Sequence, residues 1–232
     1  MKINYRENKS RCEIITSIFL AFVFLFIYGF GVYLTILAGI GAGPWDVFNL
    51  GIANTFGILY GNASIAVSLT ILLIDIAMKE SIGIAMFVDA ITVGKAVDLF
   101  NRLAWVPPPK SLSGSILLMV LGLVIMNFSV FFYMLSALGC GPRDTLLVGL
   151  KRRTKKIPIG AIGVTLHVIV TIIGYLLGGP VGIGTVIYAV LNGTLLQLVL
   201  WLFDYDLTAI RHQNIIESAK ILFRNNQQQA VQ

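Results

Sequence analysis

The sequence predicts an all-α, polytopic membrane protein with six transmembrane helices arranged as a 3+3 inverted repeat. Three observations lead there, and the first is a shortage of charge. Of 232 residues, 57% are hydrophobic and only 12% charged, and the mean hydropathy is +0.86. A soluble domain carries about 25% charged residues, so half the usual surface charge is missing. That excludes an ordinary soluble enzyme, a disordered chain and a nucleic-acid-binding module, despite a net charge of +6. The second observation is where the charges fall. Between Glu13 and Asp75 the only Asp, Glu, Lys or Arg is Asp46, and residues 111–142 and 157–203 contain none. Uncharged apolar stretches of about 20 residues suit the ~30 Å hydrocarbon core of a bilayer. The third is a pattern, G-x-G-P-x-D, that occurs twice.

The N-terminus opens with Lys2, Arg6, Lys9 and Arg11 ahead of an apolar run. That run is too long for a signal-peptide core and no A-x-A-like site ends it, so a retained first span is expected. Six long segments follow, at 14–37, 62–78, 82–101, 113–138, 159–178 and 181–203. Basic residues fix their orientation, because Lys and Arg are retained on the cytoplasmic side. With the N-terminus inside, fourteen basic residues fall on inner segments, Lys79, Arg143, the run Lys151-Arg152-Arg153-Thr154-Lys155-Lys156, Arg211, Lys220 and Arg224 among them. Only Arg102 and Lys110 fall outside. Both termini are expected to be cytoplasmic.

After the first segment comes Gly41-Ala42-Gly43-Pro44-Trp45-Asp46, and after the fourth, Gly139-Cys140-Gly141-Pro142-Arg143-Asp144, 98 residues later. Gly51 matches Gly149 at the same offset, while Gly83, Ile84, Ala90, Gly94 and Leu99 match Gly182, Ile183, Ala189, Gly193 and Leu198 at 99. An internal duplication with one inserted residue accounts for both. It divides the chain into a first repeat over 1–111, a second over 112–206 and a cytoplasmic segment over 207–232. Three spans per half is odd, so the second half enters the membrane in the opposite sense. An eight-span alternative fails because Thr145 to Leu150 is too short to cross before Lys151 and Arg152.

Within each motif the glycines permit a tight turn and proline suits the first helical position. Asp46 and Asp144 then fall in a first turn, where a carboxylate complements the helix dipole. Each motif predicts a loop and a short helix of two to four turns, re-entrant or lying along the interface. If re-entrant, the two copies meet near the midplane and Gly41, Gly43, Pro44, Asp46, Gly139, Gly141, Pro142 and Asp144 become candidate binding residues. The plainer alternative is that Gly-Pro starts a helix and Asp caps it, with no ligand.

The uncharged first span leading into the G-P-W-D of Gly43 to Asp46, with Gly141-Pro142-Arg143-Asp144 in the second half, resembles the YczE/YyaS/YitT-type family of bacterial membrane proteins. The resemblance covers nearly the whole chain. It implies an all-helical protein of the bacterial cytoplasmic membrane and carries over no catalytic residue.

The third segment holds Asp89, Lys95, Asp98 and Arg102. Lys95, Asp98 and Arg102 share a helix face at i,i+3 and i,i+4 spacing and are expected to neutralise one another. Asp89 lies nearly opposite, has no local basic partner, and aligns with Tyr188 in the repeat. An intramembrane carboxylate without a partner is a candidate proton or cation site, or else a protonated Asp bonded to a neighbouring helix. His167, the only histidine within a span, makes either an interhelical hydrogen bond or a proton relay. Asn127, Asn192 and Gln197 are expected to bond between helices, Asp75 to pair with Lys79, and Gly94 and Gly193 to let helices approach closely. The run from Lys151 to Lys156 anchors the topology or meets acidic lipid headgroups. Ile215, Ala219, Leu222 and Phe223 recur at helical spacing opposite Glu217, Lys220 and Arg224, which predicts an amphipathic helix before a polar tail over 225–232.

Cys12 and Cys140 have no metal-type or C-x-x-C spacing and read as free thiols. No H-E-x-x-H, no G-x-S-x-G and no His or Cys cluster occurs, so neither an enzyme nor a metal or other cofactor is expected. With no G-x-x-x-x-G-K-[ST] either, transport would be passive or ion-coupled. The expected function is a small-solute transporter or channel. The alternative is a membrane partner that regulates or positions a cytoplasmic enzyme through the basic loop and C-terminal helix. The partners expected are the lipid bilayer and a small solute, with a second copy of the chain or a cytoplasmic protein left open.

Overall fold

In a bilayer every backbone N–H and C=O must be satisfied within the segment, which makes helix the outcome for each uncharged apolar run. The computed structural model describes residues 11–204 and 214–223. Lys2, Arg6, Lys9, Arg211, Arg224, the boundary at 206 and the polar tail lie outside the described residues. The described elements are all helical: α1 (Arg11–Leu37), α2 (Pro44–Phe56), α3 (Tyr60–Ala77), α4 (Ile84–Leu103), α5 (Leu112–Met134), α6 (Pro142–Arg153), α7 (Ile159–Leu176), α8 (Ile183–Leu202) and α9 (Ile215–Phe223). Each of the six expected long segments is one helix, and each motif opens a short one.

Five helices, α1, α3, α5, α7 and α8, are long and apolar enough to cross a membrane. The 20-residue α4 is not among them, because Asp89, Lys95, Asp98 and Arg102 all lie on it. At ~1.5 Å rise per residue the 13-residue α2 and 12-residue α6 are about 20 Å long, too short to cross.

The order long, short, long, long occurs in α1–α4 and again in α5–α8. α1 packs along α5 and α4, and α5 along α8, around a core that includes Leu25, Leu34, Met119, Leu123 and Met126. Each short helix crosses over: α2 packs on α7, and α6 on α3. Close backbone approach sets the crossings. Gly31 and Gly122 meet where α1 crosses α5, so that a Cβ on Gly122 would lie 2.7 Å from the Gly31 carbonyl oxygen.

Several expected contacts take a different form. Lys95, Asp98 and Arg102 form no ion pair among the described residues. Asp98 Oδ1 instead accepts from the Gly61 N–H at 2.9 Å, and Lys95 Nζ donates to Asn62 Oδ1 at 2.9 Å. The free N–H groups at the start of α3 compete successfully for the carboxylate. Asp75 does not pair with Lys79, because α3 ends at Ala77 and Lys79 has φ 58°, which takes its side chain off the helical register. Asp75 is fully buried and its carboxylate oxygens have no hydrogen-bond partner. Asn127 does bond across to α8, donating to Asn192 Oδ1 at 3.1 Å. Gln197 is exposed, and Gly193 faces open space, whereas a Cβ on Gly94 would lie 2.7 Å from the Gly61 carbonyl oxygen.

At the far end of α6, Glu80 accepts from Arg152 at 2.9 Å and Arg153 at 3.1 Å, while Arg153 also donates to the Gly149 and Met78 carbonyls. Part of the basic run therefore ties α6 to the α3–α4 turn. α9 rests against α1, with Arg11 Nε donating to the Ile221 carbonyl at 3.3 Å and the Ile215 N–H to the Ile82 carbonyl at 2.7 Å.

Candidate functional site

The two motifs build the same turn. Gly41 (φ 109°) and Gly139 (φ 111°) adopt backbone that L-residues rarely enter. A Cβ on Gly41 would lie 2.6 Å from the Gly182 nitrogen, and one on Gly139 2.8 Å from the Gly83 Cα, so each turn seats against the start of a helix in the other half. The hydrogen bonds correspond as well: the Gly184 N–H donates to the Ile40 carbonyl at 2.7 Å, and the Ala85 N–H to the Leu138 carbonyl at 3.1 Å. Gly43 and Gly141 are the N-caps of α2 and α6, with Pro44 and Pro142 as first helical residues. Glycine has no side chain to cap, so the first-turn N–H groups of both helices lack a side-chain acceptor at the cap.

Both helix starts open on one cavity of about 220 Å³ to which every helix from α1 to α8 contributes. Of the expected residues, Pro44, Asp89, Gly141 and Asp144 line it. Gly43 stands behind the Tyr188 ring, 2.6 Å from the position of its missing Cβ, and Gly141 stands behind Asp89 Oδ2 in the same way at 2.8 Å. Gly41 and Gly139 hold the turns, and Pro142 is buried at the start of α6. Asp144 is exposed and lines the cavity.

Asp46 and Asp144, equivalent in sequence, are not equivalent in place. Asp46 is buried away from the cavity lining and accepts from the Tyr60 hydroxyl at 2.7 Å, which in turn accepts from Asn49 Nδ2 at 3.4 Å. The counterpart of Tyr60, 99 residues on at the start of α7, is Ile159, which has no hydroxyl to offer, and Asp144 is left facing the cavity.

Arg143 was expected on the cytoplasmic side as one of the basic residues that set the topology. It lies instead at the cavity, because helix α6 places its second residue about 15 Å from the Arg152–Arg153 end. Its guanidinium sits 5.0 Å from the centre of the Trp45 ring, its counterpart 98 residues earlier. Asp46, Asp89 and Asp144 act on it through space, yet among the described residues none forms an ion pair with it. The signal that could have found it is its place in the motif, G-P-R-D against G-P-W-D.

His167 and Ser68, 99 residues apart, also face the cavity, as do Asp89 and Tyr188. The duplicated frame thus carries unlike chemistry: Trp45, Ser68 and Tyr188 against Arg143, His167 and Asp89. Tyr28 and Tyr133, with Tyr188, complete an aromatic, hydroxyl-bearing wall. Among the described residues no group of three or more His, Cys, Asp or Glu is arranged to hold a metal ion.

Comparison with known proteins bears on the whole of this frame. The profile of a family described as "Family of unknown function (DUF6198)" matches residues 15–200. The chain is 31% identical over 176 residues to an uncharacterized protein of Haemophilus influenzae, covering 76% of this chain and 79% of that one. It is 31% identical over 182 residues to the uncharacterized membrane protein YczE of Bacillus subtilis, covering 77% and 83%. To the uncharacterized protein YyaS of Bacillus subtilis it is 23% identical over 181 residues, covering 75% and 87%. No solved structure matches.

Proposed function

We propose that this chain, which belongs to the YczE-like family of membrane proteins, is a passive or ion-coupled transporter of a small solute in the bacterial cytoplasmic membrane. The observation that carries the reading is the cavity where both motif helices begin, with Arg143, Asp89 and Asp144 facing it. Charges among apolar helices are costly, and cavities that hold them mark solute or ion paths.

In this reading α4 is a sixth span, its charges turned to the cavity, to the α3 N-terminus or to the membrane surface. The two halves then form a 3+3 inverted repeat, with α2 and α6 re-entrant from opposite faces. Basic residues at the Lys79 turn and along the run from Lys151 to Lys156 put those loops in the cytoplasm. The charged cavity sits at the interface of the repeats, where inverted-repeat transporters bind their solutes.

A transporter is favoured over an open channel by one difference between the halves. α3 and α4 pack tightly through Gly61 and Gly94, whereas Gly160 and Gly193, their counterparts 99 residues on, face open space. One helix pair is closely packed and its counterpart is not. Alternating access exchanges the two.

The test is an untargeted comparison of metabolites in cells that express the wild-type chain, the Asp89→Asn variant at equal membrane level, or neither. The expected result is one compound class retained or depleted with the wild type alone. Three indistinguishable profiles would sink transport.

A further inference from the structure

We infer that the solute is a small zwitterion, carrying a carboxylate and an ammonium group a few bonds apart; this rests on the transport reading of the same cavity. One pole of the site is Arg143. Its guanidinium is held over the Trp45 ring and has no ion pair among the described residues. A planar guanidinium presents a fork of donors that matches a carboxylate with two parallel hydrogen bonds. The other pole is the pair Asp89 and Asp144, which flank Gly141. Both line the cavity, and neither has a hydrogen-bond partner or ion pair among the described residues. The carboxylates accept what an ammonium donates. Opposite charges thus face one small space without bonding each other.

The signs of charge separate the candidate solutes. The cavity is lined by one guanidinium and two carboxylates, with the N-termini of α2 and α6 beside them and the Asp46 carboxylate acting on Arg143 from the first turn of α2. Both signs face one space at separate places, so the site suits a solute with separated poles of opposite charge. A simple anion would leave both carboxylates unanswered and repel them, and a simple cation would do the same to Arg143. A neutral apolar solute would strand all three, which a low-dielectric cavity penalises. Size agrees, since 220 Å³ lies below the about 300–1,000 Å³ of pockets for drug-sized ligands.

Purified full-length protein in detergent, titrated with the twenty common α-amino acids, β-alanine and 4-aminobutyrate, tests this through ligand-induced shifts in melting temperature. At least one of them is expected to raise it. Its methyl ester, which lacks the carboxylate, and its N-acetyl derivative, which lacks the ammonium, are expected to bind at least about tenfold more weakly. Arg143→Gln and Asp89→Asn should weaken the parent compound by a similar factor. The ester and N-acetyl arms need no variant, so the test survives if a variant does not fold. An ester or N-acetyl compound binding as tightly as its parent overturns the inference, as does failure of every zwitterion to bind. If none binds while the cell comparison still shows a transported compound, the zwitterion is wrong and transport stands. If that comparison shows nothing, the transport reading itself has failed.

Discussion

The carboxylate of Asp98 accepts from the Gly61 N–H at 2.9 Å, while Lys95, one turn away on the same helix, donates to Asn62 Oδ1. Asp98 is therefore held by the start of α3, and its other oxygen has no hydrogen-bond partner. Asp98→Ala leaves a buried N–H unsatisfied and should cost about 1–3 kcal/mol. Asp98→Asn keeps an acceptor and should cost less, and Lys95→Ala, on an exposed side chain, should stay within about 0.5 kcal/mol. Denaturant titration in detergent micelles measures all three, and an equal loss in Lys95→Ala and Asp98→Ala would restore the ion pair. The same residues show what sequence spacing can convey. Periodicity put Lys95, Asp98 and Arg102 on one face, but only the neighbouring helix decides what that face meets. Asp89 was legible because it stood alone in an apolar run. Arg143 was not, because ten residues before Arg153 in sequence it belongs to a basic cluster, and only helix length carries it to the other end of α6.

At the scale of elements, the long helices were legible because uncharged apolar runs in a bilayer have one structural outcome. The short ones were legible because Gly-Pro starts a helix and basic residues end α6. What no pattern conveyed was their crossing, α2 onto α7 and α6 onto α3, since a helix's partner is set by complementary surfaces far apart in sequence. The turns that direct this crossing are the sensitive points. Gly41→Ala and Gly139→Ala each place a Cβ on a residue with φ near 110° and against backbone of the opposite half. Left-handed strain of roughly 1–2 kcal/mol and a backbone clash then act together. Both variants should give little folded protein, judged by monodisperse elution in detergent after matched expression. Gly178→Ala is the control, because that glycine also has positive φ (84°) but nothing lies within 4 Å of its Cβ position. If Gly178→Ala fails as badly as the other two, backbone strain alone accounts for the loss and the seating of the turns does not.

Across the whole molecule the halves differ most where α7 and α8 run. The most apolar stretch of α7 is 11% buried, against 44% for the corresponding stretch of α3, and that of α8 is 17% buried. Gly61, Gly94 and Asp98 form the tight end of α3 and α4, and their counterparts 99 residues on are Gly160, Gly193 and Gln197, two open glycines and an exposed amide. If the transport cycle carries the second half into the packing now held by the first, α7 and α8 must close on Gly193, with the Gln197 side-chain carbonyl placed to accept from Gly160 as Asp98 accepts from Gly61. Gly193→Leu separates a static gap from a working one. In the present state a Cβ there meets nothing within 4 Å, and replacing a helical glycine gains up to about 1 kcal/mol, so folding and insertion should be unimpaired or improved. In the closed state it would block the approach, so solute accumulation should fall at least about tenfold, equivalent to about 1.4 kcal/mol in the closing step. Gly94→Leu, by contrast, should not fold, because its Cβ would meet the Gly61 carbonyl oxygen at 2.7 Å. Accumulation at the wild-type rate in a well-folded Gly193→Leu protein would mean that this gap never closes, and a passive channel would replace the alternating transporter.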